Sequence, residues 1–297
     1  MDFGSEPCIR EEGDGYVKVL SPAKVNLFLE VTGKRPDGYH DLLSLMCPVS
    51  LYDILTLDFD KPEMKISCSH PGVPTDGSNL AWRAAELFFD RAGISGCVHI
   101  LIEKHIPVAG GLGGGSSNAA SVLMALNRHY RFPFDRSSLS EMGLSLGADV
   151  PFFLFQGPAI ATGIGEKLMP WKNFSHFRIV LISFDFSVST AMIYKNLNLG
   201  LTKCKKIIKD TLFKEHRFDP ARHLCNDLET VTASLFPVIC EAKKALADCG
   251  AEGSLMSGSG PTVFGLFSDA KKAEYAYLSV SAENHKGWRL YQADLTV

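Results

Sequence analysis

From Tyr16 onward the chain switches repeatedly between an apolar period of two and an apolar period near 3.6. Val17-Lys18-Val19-Leu20 and Ala23 to Val31 read as strands, with turn chemistry after the second in Arg35-Pro36-Asp37-Gly38. Leu51 to Phe59 and Val98 to Lys104 are two more strands, and Met46-Cys47-Pro48 casts doubt on pairing just before the first of them. Between these strands, Asn79 to Arg91 carries Leu80, Ala84, Leu87 and Phe88 on one helical face and has Gly93 beyond its end. Val122, Leu123, Leu126 and Tyr130 mark another helix, Ser138 to Leu146 a shorter one, and Phe152 to Phe155 a strand-like apolar run. Pro158 to Pro170 is rich in glycine and proline, and a new strand starts at Phe177 and runs to Phe184. Gly253 to Phe267 has the pattern of a hairpin around a glycine loop.

Helices and strands mixed in both halves, without regular βαβ repeats, predict an α+β fold. The glycine and proline stretch divides it into domains at 15–165 and 166–297. Residues 1–14 carry Glu6, Glu11, Glu12 and Asp14 with little apolar content, which predicts a loose extension.

Composition narrows the partners. With 297 residues, 46% hydrophobic and 21% charged, the chain is ordinary globular material. A net charge of -3 argues against nucleic acid or an anionic membrane as partner. Lys203-Cys204-Lys205-Lys206 fits a solvated helical face. Eight scattered cysteines with no C-x-x-C pair predict reduced thiols, and nine histidines without H-E-x-x-H make a zinc site improbable. An acidic start and no run of eighteen apolar residues predict a cytoplasmic location.

The densest chemical signal is Pro107-Val108-Ala109-Gly110-Gly111-Leu112-Gly113-Gly114-Gly115-Ser116-Ser117-Asn118, leading straight into a helix. Glycines admit close backbone approach, and a helix N-terminus offers N–H groups and a positive dipole end to phosphate. Three familiar templates fail here: the Walker loop, and the dinucleotide fingerprint and protein-kinase loop that share G-x-G-x-x-G. No lysine follows Gly115 as a Walker loop needs, and G-x-G-x-x-G breaks at Ser116 or Asn118. Phosphoryl transfer also needs a proton acceptor and a cation. Asp149, set before Val150-Pro151-Phe152-Phe153, is a candidate acceptor, with helix capping as the alternative. Lys24, inside an otherwise apolar strand, is a candidate cation, with snorkelling from a sheet surface as its alternative. A second glycine loop at Ser257-Gly258-Ser259-Gly260 can add backbone donors, or be a plain hairpin turn.

Pro22 to Leu27, Pro107 to Ala120 and Ser254 to Thr262, in this order, resemble the three motifs of the GHMP kinase superfamily. Arg35-Pro36-Asp37-Gly38-Tyr39-His40 and Gly147-Ala148-Asp149-Val150-Pro151 resemble its branch acting on a cytidine diphosphate sugar-alcohol. The resemblance implies an N-terminal ATP-binding domain, a C-terminal ferredoxin-like substrate domain and an active site in the cleft between them. It implies that Lys24 and Asp149 are the catalytic pair, with Lys24 keeping the carboxylate ionised. Residues 107–117 would wrap the phosphates of ATP, with Asn118 and Ala119 starting the helix. Asn79, Leu80 and Lys104 would lie near the adenosine, although Asn79 alone reads better as an N-cap. Asn26, Tyr39, His40, Thr190 and Tyr194 would serve the acceptor, with core packing as the alternative for Tyr194. Mg²⁺ would come with ATP; its protein ligands are not identified, and the hydroxyls of Ser116 and Ser117 are candidates. The partners implied are these small molecules, with the chain a monomer or weak homodimer. The competing readings are a GHMP kinase of another alcohol and a nucleotide-binding module without catalysis.

Overall fold

The structure is a computed structural model that describes residues 8–172, 175–198, 204, 218–283 and 287–296. The chain begins with β1 (Cys8–Gly13), β2 (Tyr16–Lys34), β3 (His40–Asp58), β4 (Lys65–Cys68), α1 (Leu80–Ala92) and β5 (His99–Glu103). Next come α2 (Gly114–His129), α3 (Arg136–Leu146), α4 (Val150–Phe155), β6 (Ala159–Gly163), β7 (Lys167–Pro170) and β8 (Arg178–Phe184). Then follow α5 (Thr190–Asn196), α6 (Pro220–His223), β9 (Cys225–Asn226), α7 (Glu229–Leu235) and α8 (Val238–Asp248). Last are β10 (Gly253–Met256), β11 (Val263–Phe267), α9 (Ala270–Ala282) and β12 (Trp288–Asp294).

These elements form two compact units that alternate along the chain. One comprises Met1–Ala23, Tyr52–Val108 and Gly113–Gln156; the other Lys24–Leu51, Ala109–Leu112 and Gly157–Val297. The expected division at 165 therefore does not describe the compact units. The cause is strand length, because β2 and β3 each run 19 residues and each gives one end to each unit.

In the first unit β1 pairs antiparallel with β2, β5 antiparallel with β3, and β4 parallel with β5. Helices α1, α3 and α4 pack around α2, which is buried at every position from Ser117 to Asn127, as a helix surrounded by protein must be. Asn127 can sit there because Phe134 satisfies both ends of its amide. Phe88 of α1 meets Phe134 edge-on at 5.3 Å.

In the second unit β8, β10, β11 and β12 form an antiparallel sheet in the order β10-β11-β8-β12. Helices α7 and α8 lie in sequence between β8 and β10, and α9 between β11 and β12. That is the β-α-β-β-α-β order of a ferredoxin-like domain, as expected. Val180, Ile182, Ile239, Leu246, Met256 and Phe267 share its core with Leu29 and Val31 of β2.

Several expectations need correction. Residues 8–13 are a strand, not a loose extension: Gly13 pairs with Tyr16 across the two-residue turn Asp14-Gly15, in which Gly15 takes φ 78°. Val17–Leu20 and Ala23–Val31 are one strand running through Pro22. Phe152–Phe155 is helical, since Pro151 opens a helix well and a short buried apolar run carries no readable period. The proline doubt holds only in part: β3 runs unbroken through Pro48 and Val49 bridges to Leu295, but its partner changes from β6 over 42–46 to β5 over 54–58. In between, Pro48 offers its carbonyl to Thr296 N–H. Cys204 and Cys225 form a disulfide, against the expectation of reduced thiols throughout. No cysteine spacing could announce it, because Cys225 reaches its place by pairing β9 with β2. Lys203, Lys205 and Lys206 lie outside the described residues. Among the described residues, no helix is long and apolar enough to cross a membrane.

Candidate active site

Helix α2 starts at Gly114, four residues before Asn118, where the sequence placed it. Gly113 is its N-cap at φ 72°, so Gly114, Gly115 and Ser116 form the first turn. The first N–H groups of a helix have no carbonyl within it to bond, and the dipole adds positive potential there. Ala109 in the preceding loop is held at φ 54°, a costly conformation for alanine.

The turn is anchored by a polar network in the first unit. Asp53 of β3 is fully buried and accepts hydrogen bonds from His105 N–H at 2.8 Å, Ile106 N–H at 2.9 Å and Asn118 Nδ2 at 3.0 Å. It also accepts a short one from the Lys104 ammonium, itself almost buried. Asn118 Nδ2 reaches Ser21 Oγ as well, and Ser21 Oγ donates to Ser117 Oγ at 2.7 Å. A Cβ added to Gly114 would lie 2.7 Å from Lys104 Nζ, so the ammonium rests against the first turn of α2. Leu80 comes within 3.8 Å of the corresponding point at Gly115. Lys104 and Leu80 are thus brought to the same turn. Asn79 caps α1 instead, accepting from Ala81 N–H and donating to Pro74 O, so the reading from residue type describes it.

Sequence reasoning missed Asp53, although a signal was there. It shares a strand face with the fully buried Leu55 and Leu57, and a carboxylate on such a face needs partners.

In the second unit Lys24 is 4% exposed, and its ammonium donates to Asn26 Oδ1 at 2.6 Å. Two residues along a strand face the same side, which is why the pair meets. Asn26 Nδ2 donates to Ser44 Oγ, which donates on to Phe28 O, so Asn26 is fixed at both ends and in turn fixes Lys24. The glycine loop is tied here at three points. Leu112 O accepts from Lys24 N–H at 3.0 Å, Gly111 O from Ser257 Oγ at 3.1 Å, and Gly110 O from Thr262 N–H at 3.3 Å. Ser257 Oγ also accepts from Asn26 N–H, and a Cβ on Gly258 would stand 3.6 Å from Lys24 Nζ. The Ser257–Gly260 loop is therefore more than a hairpin turn, since it carries the tip of the glycine loop and borders the lysine. Asn226 holds it from behind through Met256 O and Gly258 O, and Thr190 Oγ1 bonds Ser259 Oγ at 2.8 Å.

Asp149 belongs to the first unit. It occupies the N-cap position of α4, yet its backbone is helical and its side chain makes no capping hydrogen bond. The capping alternative is thereby removed.

The Asp37–His40 turn closes through Tyr39 N–H on Asp37 Oδ1 and Arg35 N–H on Tyr39 O, leaving the Tyr39 ring 58% exposed. His40 stacks on Tyr194, with ring centroids 5.0 Å apart and planes 28° from parallel. Tyr194 also packs on the core of its unit, so both readings of it apply. Burial, and then the nearby Lys34 charge, hold the His40 imidazole below its ordinary pKa, so it is neutral at pH 7.

For magnesium, Ser117 Oγ is buried and bonded to Ser21, which leaves Ser116, half-buried beside Gly147, as the better placed hydroxyl. A loop with two serines and no carboxylate suits a cation held mainly by phosphate oxygens.

Known proteins resemble this chain along most of its length. The family model of the GHMP kinases N terminal domain matches residues 79–157, and that of the GHMP kinases C terminal matches 210–286. The chain is 45% identical over 276 residues to a 4-diphosphocytidyl-2-C-methyl-D-erythritol kinase of Syntrophotalea carbinolica, covering 93% of this chain and 97% of that one. The kinase of the same name from Syntrophus aciditrophicus is 48% identical over 264 residues, covering 88% and 93%. A crystal structure of 4-(cytidine 5'-diphospho)-2C-methyl-D-erythritol kinase superposes with a TM-score of 0.77 at 36% identity, over 94% of this chain and 99% of that one. Motif order, the ferredoxin-like sheet and likeness along nearly the whole length thus agree, and the chain belongs to the GHMP kinases, among the 4-diphosphocytidyl-2-C-methyl-D-erythritol kinases.

Proposed function

We propose that this chain transfers the γ-phosphoryl group of ATP to the 2-hydroxyl of 4-diphosphocytidyl-2-C-methyl-D-erythritol, giving the 2-phosphate and ADP for the non-mevalonate synthesis of isoprenoid precursors. One feature carries the choice of acceptor. The unit that holds Lys24 against the Ser257–Gly260 loop also bears the His40–Tyr194 stack, a flat surface suited to a pyrimidine. Base stacking on such a surface is worth about 1–3 kcal/mol. Neutral His40 adds an acceptor for the exocyclic amine of cytosine, and exposed Tyr39 a further ring.

The residues then divide the work. Residues 107–117 hold the phosphates through loop amides and the first turn of α2, with Leu80 and Lys104 on the nucleotide side. Asp149 takes the hydroxyl proton as the oxygen attacks the γ-phosphorus, and the bridging oxygen leaves with ADP, keeping the bonding electrons. Lys24, aimed by Asn26, places positive charge where negative charge develops. Magnesium bound with ATP neutralises phosphate charge.

Steady-state ADP formation with ATP and the cytidyl substrate tests the reading, and folded protein that forms none sinks it. Asp149→Asn keeps ATP binding and loses roughly 10²-fold or more in turnover; equal turnover removes Asp149 from the mechanism.

A further inference from the structure

We propose that Asp53 is a positioning residue for nucleotide binding: it aims the Lys104 ammonium at the phosphates gathered on the first turn of α2. The inference rests on the ATP-dependent reading above and adds to it a carboxylate that no motif contains.

Lysine is a point charge on a flexible stem, so a useful aim has to be imposed on it. Here the ammonium is held by a fully buried carboxylate, and it stands where a Cβ of Gly114 would otherwise be. A cation at a helix N-terminus is unfavourable while no anion is bound, because it adds to the positive dipole end. Asp53 offsets that cost and leaves the ammonium's other protons to a phosphate. The same carboxylate fixes His105 and Ile106, where the chain enters the glycine loop, and Asn118 on α2. One side chain thus sets both the cation and the amides that meet the nucleotide. Buried ion pairs contribute little net stability, which fits a role in placement better than a role as a brace.

Asp53→Asn keeps an acceptor for the two loop amides but turns an NH₂ group toward Lys104 and Asn118, both donors. The ATP dissociation constant, measured by calorimetry without the acceptor, rises roughly 10-fold or more, as expected for losing a charge-assisted contact. The KM for the cytidyl substrate stays within about twofold, because the hydrogen bonds of this network join residues of the first unit, whereas the acceptor residues belong to the second. In a Lys104→Met background the Asp53→Asn change raises the ATP constant by much less than it does in the unmodified protein, since the part that acts through the ammonium is gone. Unchanged ATP affinity in Asp53→Asn, equal losses for both substrates, or an additive loss in the double variant each overturns the proposal. If Asp53→Asn fails to fold, the cause is an uncompensated buried lysine, and the double variant removes it. Comparing that double variant with Lys104→Met alone then decides the matter. ATP binding without turnover of the cytidyl substrate in the unmodified protein would refute the proposed reaction and leave this test intact.

Discussion

Gly115→Ala separates a glycine kept for a ligand from one kept for packing. Gly115 is exposed in the first turn of α2, and a Cβ built on it meets only Leu80 Cδ1, at an ordinary 3.8 Å. Its backbone is helical, so alanine costs no strain and favours the helix by up to about 1 kcal/mol. From the protein alone the substitution is neutral or stabilising. If phosphate rests on this turn, however, the methyl group stands in its way and displaces at least one amide-to-phosphate hydrogen bond. Bonds to a charged group are worth about 1.5–3 kcal/mol, which corresponds to a rise of roughly 10–150-fold in the KM for ATP. Initial rates at saturating cytidyl substrate, with a urea melt on the same preparation, give both quantities. An unchanged KM for ATP with unchanged stability would mean that phosphate does not approach Gly115, and the loop assignment would fall with it.

Gly111→Ala has the opposite profile. Its Cβ would lie 2.3 Å from the Ser257 carbonyl oxygen at a residue held at φ 77°, so urea melts should show a loss of about 2–4 kcal/mol, and an unshifted midpoint would contradict the packing. For His40, whose pKa lies below the ordinary 6.5, the KM for the cytidyl substrate stays flat at neutral pH and rises as the pH falls through the lowered pKa, because the imidazolium no longer accepts a hydrogen bond. His40→Gln abolishes that rise while the KM for ATP serves as control, and a rise that persists in the variant assigns it elsewhere. Reducing the Cys204–Cys225 bridge, which joins positions 21 apart in sequence, lowers stability by about 2–4 kcal/mol in denaturant melts with and without dithiothreitol; coincident melts would argue against the bridge.

The parts of the molecule legible in the sequence are those in which local chemistry and final position coincide. Asn79, a helical apolar face and Gly93 at φ 63° state where α1 begins, lies and ends, and α1 follows them to within a residue. The ferredoxin-like order in the second unit follows from a family motif pattern that spans most of the chain. What could not be read depends on pairing between distant segments. Nothing in Cys8–Gly13 compels a strand until β2 offers an edge, and nothing near Cys204 foretells β9 beside β2. Asn26 shows the same limit within the site. The resemblance assigns it to the acceptor, but nothing local foretells that its side chain is also engaged by Lys24 and by Ser44, the second of these 18 residues away.

The glycine run illustrates why counting glycines overstates what a loop does for its ligand. Gly111 is glycine because the backbone of the Ser257–Gly260 loop lies against it, Gly113 because the N-cap of α2 needs a positive φ, and Gly114 because Lys104 occupies the place of its side chain. None of these three reasons requires phosphate. At Gly115, by contrast, a Cβ would meet nothing nearer than Leu80 Cδ1 at 3.8 Å, so there the absence of a side chain leaves room for a ligand. No lysine follows the last glycine of the loop, and on the proposed reading Lys104 of the first unit and Lys24 of the second supply the positive charge instead. Each of these cations is fixed by a short polar side chain, Asp53 or Asn26, supplied by a strand. A loop of this kind works by being held at its tip and its helix end. Variants of Asp53, Asn26 or Ser257 should therefore change ATP binding or turnover as strongly as variants of the glycines themselves.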